Sequence, residues 1–116
     1  MSAPVGPYTP VVKAGGWLIV SGQLGLFNGQ MVAGGTGPQL SQAIANLSTL
    51  LAAEGASLDQ VAKTTVFLAD IGDYAVMNTA YTEAFGAHRP ARSAVAVAGL
   101  PLGAEVEIEA WAWVGA

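Results

Sequence analysis

Near its C-terminal end the chain alternates almost without error. Glu105, Glu107 and Glu109 stand at every second position with Val106, Ile108 and Ala110 between them, and Trp111, Ala112, Trp113 and Val114 continue the pattern. Successive side chains of a strand point to opposite faces, so residues 105–114 read as a strand whose two sides meet different surroundings. The apolar side calls for a layer of helices. The other side carries three carboxylates that repel one another, which suits a solvated face, but it also carries two tryptophans, and rings of that size argue for at least partial cover.

What could supply that cover follows from the charge content. Charged residues make up 10% of the 116, against about 25% in an ordinary soluble domain. So few charges cannot dress a whole surface, and part of it is expected to lie against other subunits. Residues 1–116 form one domain, long enough to bury about 65% of its unfolded surface and so to hold a core without staples. Cysteine is absent, which excludes disulfides. The net charge of −4, with only Lys13, Lys63, Arg89 and Arg92 as cations, cannot build the phosphate-neutralising patch that nucleic acids demand. The opening Met1-Ser2-Ala3-Pro4 lacks a basic region followed by an apolar run, and the charge-free stretch 14–53 is broken by Gly, Gln, Asn and Ser. No membrane partner is expected, and the location is read as cytoplasmic.

The remaining elements can be placed along the chain. Residues 9–14 and 17–21 flank Gly15-Gly16 and read as a hairpin, and Asn28-Gly29 between apolar neighbours marks a second one. From Pro38 the period changes. Leu40, Ile44, Leu47 and Leu51 share one stripe of a helix that ends at Gly55. Residues 61–68 read as a central strand. Asp73 can cap a second helix with Tyr74, Met77, Tyr81 and Ala84 or Phe85 on one face and Gly86 at its exit. Residues 92–98 and 105–114 are the last two strands. Two helices in so short a chain should lie on one sheet face and leave the other for partners.

Candidate chemistry concentrates in few places. Arg92 opens a strand and shares its side with Ala94 and Ala96, whose small size leaves a guanidinium room to bind a carboxylate with two prongs. A pairing with one of the chain's own carboxylates is the competing use. A glutamate of the last strand held beside an arginine could activate a water as general base. His88 is the only histidine, so neither a His-rich metal site nor a paired-His ribonuclease mechanism fits in one subunit, and it is expected to be a solvated loop residue. Ser21 lacks the surroundings of a nucleophile and reads as an orienting hydroxyl. Gly34-Gly35-Thr36-Gly37 lacks the lysine of a phosphate-binding loop and reads as a flexible connection.

Taken in order, Gly6-Pro7-Tyr8, Ser21-Gly22-Gln23, the string 61–68, Met77-Asn78 with Tyr81, Pro90-Ala91-Arg92-Ser93 and the sequence from Glu105 to Ala110 resemble the RidA (YjgF-like) family of imine and enamine deaminases across nearly the whole chain. The resemblance implies a chorismate-mutase-like α+β fold, a mixed sheet with two helices on one face, assembled as a homotrimer with clefts between subunits. It also implies cofactor-free, metal-free hydrolysis of 2-imino or 2-enamine acids, such as 2-aminoacrylate, to 2-oxo acids and ammonia. By motif, Arg92 would bind the substrate carboxylate and Glu107 would activate the water. Tyr8, Ser21, Gly22 and Asn78 would line the pocket, with Tyr8 helping to close it. Ala94 stands where many deaminating members carry Cys, and Thr9-Pro10 stiffens the entry after Tyr8. A non-catalytic binder of small carboxylates on the same scaffold is the alternative, since binding needs Arg92 but no activated water.

Overall fold

The structure is a computed structural model that describes residues 4–115. Its main strands are β1 (Val11–Ala14), β2 (Trp17–Gln23), β5 (Val61–Leu68), β6 (Ala91–Ala96) and β7 (Val106–Trp113), and its helices are α1 (Thr36–Ala53) and α2 (Tyr74–Phe85). They form a five-stranded sheet in the order β1-β2-β7-β5-β6. Its neighbours are antiparallel except β5 and β6, which the α2 crossover makes parallel. The alternating strand β7 is therefore the middle of the sheet. The strand read as central, 61–68, is found with those bounds and is an interior strand, flanked by β7 and β6.

The apolar sides meet as the patterns require. Leu18, Val20, Val66, Leu68, Val106, Ile108, Ala110 and Ala112 form one core with Leu40, Ile44, Leu47 and Leu51 of α1 and Met77, Tyr81 and Phe85 of α2. Each large aliphatic side chain buried this way contributes about 1.5–3 kcal/mol. Both helices thus cover the same face, and the opposite face is left without helices. The second hairpin pairs β3 (Leu26–Phe27) with β4 (Gln30–Met31). Asn28 and Gly29 connect them with φ of 51° and 79°, the left-handed pair that a tight two-residue turn requires. Asn46 of α1 donates to the carbonyls of Leu24 (3.1 Å) and Leu26 (2.9 Å), fixing this hairpin against the helix.

Several boundaries differ from the sequence reading, each for a local reason. Helix α1 starts at Thr36, so the glycine run is partly helix. Pro38 is tolerated there because a first-turn N–H has no partner within the helix. Asp73 makes no cap hydrogen bond with its side chain. Its Oδ2 instead accepts from Thr36 Oγ1 at 2.8 Å, and Asp70 caps a short 3-10 turn, Ile71–Asp73, by accepting from the Gly72 N–H. Strand β7 begins one residue late because the Glu105 N–H is taken by Gln39 Oε1 at 2.9 Å. Among the described residues no helix is long and apolar enough to cross a membrane.

Candidate functional site

Glu107 occupies the helix-free face of β7, opposite Phe67 of β5. It is half-buried. That burial first, and the Glu109 carboxylate second, push its pKa above the ordinary glutamate value. On its other flank the β2–β7 register slips between Val20 and Gln23, so that three steps on β2 match two on β7. Such a bulge re-aims the side chains it contains. Here it sets Ser21 and Gly22 beside the carboxylate, and a Cβ on Gly22 would collide with Glu107 Oε2 and Cδ. Ser21 Oγ donates to the Thr9 carbonyl at 2.7 Å, holding the N-terminal segment and Tyr8 along β2.

Tyr8, Ser21, Gly22 and Glu107 share a cleft of about 980 Å³, with Phe27, Asn46 and Leu102 on its farther walls. Tyr8 lines this cleft and stays 41% exposed, so within one chain it forms a wall and not a lid. The resemblance gives Gly22 the task of letting a ligand near the backbone; the space a Cβ would need there is taken by Glu107 itself. Gly22→Ala is accordingly expected to keep the fold, because the collision is with the end of a side chain, and to displace the carboxylate. Circular dichroism and a crystal structure of the variant would check the two halves of that expectation.

Arg92 and Asn78 do not enter this cleft. In the parallel β5–β6 pair Arg92 is registered with Thr64, Ala94 with Val66 and Ala96 with Leu68, the core-facing residues of β5. Glu109 and Glu107 are registered with Thr65 and Phe67, which face the other way. Arg92 therefore lies on the helix side of the sheet and Glu107 on the open side. The expected carboxylate beside an arginine is not formed within one chain. Among the described residues Arg92 also has no carboxylate partner. Its Nη2 donates to the Tyr74 hydroxyl at 3.1 Å and its Nη1 to Met77 Sδ at 3.6 Å. The guanidinium carbon stands 4.9 Å from the Tyr81 ring centroid and 5.7 Å from that of Tyr74. Asn78 follows Met77 on α2, one turn after Tyr74, the helix face that meets Arg92.

Other expectations need correction. His88 is not a solvated loop residue: its Nε2 donates to the Val61 carbonyl at 2.7 Å, tying the α2–β6 connection to the start of β5. Trp111 and Trp113 pack edge-on against Trp17, with centroids 5.8 and 4.9 Å apart. They nevertheless remain 40% and 46% exposed, so the chain alone does not supply the cover their size suggested. Tyr74 shares the helix face of Met77 and Tyr81 but is exposed and partners Arg92. Among the described residues no group of three or more His, Asp or Glu could hold a metal.

The architecture defines a class: a small α+β fold with a mixed five-stranded sheet, two helices on a single face, and a cleft walled by a glycine-cradled glutamate. The family model described as endoribonuclease L-PSP matches residues 1–114. The 2-iminobutanoate/2-iminopropanoate deaminase of Mus musculus is 44% identical over 115 residues, 97% of this chain and 85% of that one. The crystal structure of RidA from the Antarctic bacterium Psychrobacter superposes with a TM-score of 0.92 at 38% identity, covering 97% of this chain and 92% of that one. Escherichia coli TdcF with bound serine superposes with a TM-score of 0.89 at 34% identity, covering 95% and 90%. The chain belongs to the RidA (YjgF-like) family.

Proposed function

We propose that this protein is a cofactor-free deaminase that hydrolyses 2-imino acids, and 2-enamine acids such as 2-aminoacrylate through their imine tautomers, to 2-oxo acids and ammonia in the cytoplasm. The observation that carries this reading is Glu107, a half-buried carboxylate whose pKa is raised, cradled by Gly22 in a cleft wide enough for substrate. A base works best with a pKa near the operating pH, which burial brings closer. Glu107 takes a proton from water as the oxygen attacks C2 of the imine and delivers it to nitrogen, giving the carbinolamine. It then carries the hydroxyl proton to nitrogen as the C2–N bond breaks. The deaminase activity named for the mouse relative supports the substrate class, and the serine on TdcF supports binding of a small carboxylate.

Arg92 is the group chemically suited to that carboxylate, yet it lies across the sheet from Glu107. We place it, with Asn78, in the cleft of a neighbouring copy, so that each site is shared in a homotrimer. The open sheet face supports this assembly, because Val12, Val95, Trp111 and Trp113 leave it apolar and exposed. Light scattering is expected to return a trimer at micromolar concentration; a monomer would remove the shared cleft. A non-catalytic carboxylate binder would use the same Arg92. The deciding measurement is release of 2-oxo acid from freshly generated 2-iminobutanoate, which a binder would not accelerate. The endoribonuclease of the family description is disfavoured by the −4 charge and by the single histidine, already engaged with a backbone carbonyl.

A further inference from the structure

We infer that Tyr74 is a positioning residue that fixes the guanidinium fork of Arg92 for a substrate carboxylate. This rests on the carboxylate-binding reading of Arg92. An arginine on an edge strand has several rotatable bonds, and a two-pronged contact is strong only when the planar group is already oriented. Three residues on one stripe of α2 provide that orientation. The Tyr81 ring, 4.9 Å from the guanidinium carbon, forms a flat support. It is 4% exposed and is itself locked by a 2.8 Å hydrogen bond between its hydroxyl and Thr64 Oγ1. Met77 Sδ accepts from Nη1. These two buried contacts hold one side and leave the plane free to swing at its outer end.

Tyr74 closes that freedom. It is the first residue of α2, 43% exposed, and its hydroxyl accepts from Nη2 at 3.1 Å. Each terminal nitrogen of Arg92 then spends one N–H on the protein and keeps another to offer a ligand. A phenylalanine would preserve the ring and the helix start and remove only the oxygen that sets the angle of the fork.

The test is a double-mutant cycle read in two ways, by titration of 2-oxobutanoate and by steady-state turnover of 2-iminobutanoate. Tyr74→Phe is expected to weaken 2-oxobutanoate binding three- to tenfold. It should raise KM by a similar factor while kcat stays within twofold, a split that general loosening of the fold would not give. Arg92→Lys is expected to weaken binding further, and Tyr74→Phe added to it should then change binding less than twofold, because no fork remains to orient. Equal factors in both backgrounds would overturn the inference, as would unchanged binding in Tyr74→Phe alone. If Arg92→Lys bound 2-oxobutanoate as the parent does, the carboxylate site itself would fall, a result distinct from failure of the Tyr74 step alone.

Discussion

Glu107→Gln is expected to lower turnover of 2-iminobutanoate by roughly two to four powers of ten, the usual contribution of a positioned general base, with 2-oxobutanoate binding preserved. Glutamine keeps the size and much of the hydrogen bonding, so the loss isolates proton transfer. Glu105→Gln and Glu109→Gln should change turnover far less. Glu105 precedes the first residue of β7 and lies near the start of α1, where Thr36 Oγ1 reaches its Oε2 at 3.5 Å. Glu109 acts on Glu107 through charge, as the second cause of its raised pKa after burial. The acidic limb of kcat/KM should therefore lie above the ordinary glutamate range, with activity lost as pH falls through it. Glu109→Gln should move that limb to lower pH. The sign for stability is opposite. A carboxyl whose folded pKa exceeds its unfolded one favours the folded state most when protonated, so its contribution declines as pH rises from the ordinary value through the raised one. Glu107→Gln should consequently melt no lower than the parent at neutral pH. Equal turnover in all three glutamine variants would remove Glu107 as the water-activating base.

The parts of this site that sequence could reveal are those set by local periodicity. Alternation in residues 105–114 places Glu107 on the side away from the helices, and Val106, Ile108, Ala110 and Ala112 do form the core side. The stripe in 40–51 and the Asn28-Gly29 turn are equally local. What could not be read is the parity of one strand against another. Arg92 and Glu107 fall on opposite faces because β6 is registered on β5 with Arg92 at Thr64, while β7 is registered on β5 with Glu107 at Phe67. A shift of one residue in either pairing would have put them on the same face. The contacts of Tyr74, Asp73 and His88 depend on packing between elements distant in the chain. The exposed tryptophans show a further limit: their size signals cover without saying which molecule supplies it.

Arg92→Lys is expected to lower kcat/KM about thirtyfold, equivalent to about 2 kcal/mol for one charged hydrogen bond lost from a two-pronged contact. Lysine keeps the charge but cannot lie flat on Tyr81 or give two parallel donors. The trimer should survive, because Arg92 faces α2 and not the apolar open face, and among the described residues no carboxylate partner is stranded by its removal. Full activity in this variant would move the carboxylate site elsewhere. The two faces of the sheet make a stricter test available. If Arg92 serves the Glu107 of another copy, inactive Glu107→Gln chains still carry a good Arg92, and Arg92→Lys chains still carry a good Glu107. Co-expressed in equal amounts and mixed at random in a cyclic trimer, the two variants would restore about a quarter of the sites to parental composition. Turnover well above that of either variant alone is the expected result. Activity no greater than the average of the two would mean that Arg92 and Glu107 do not meet across a subunit boundary, and the shared site would have to be abandoned even if the trimer stood.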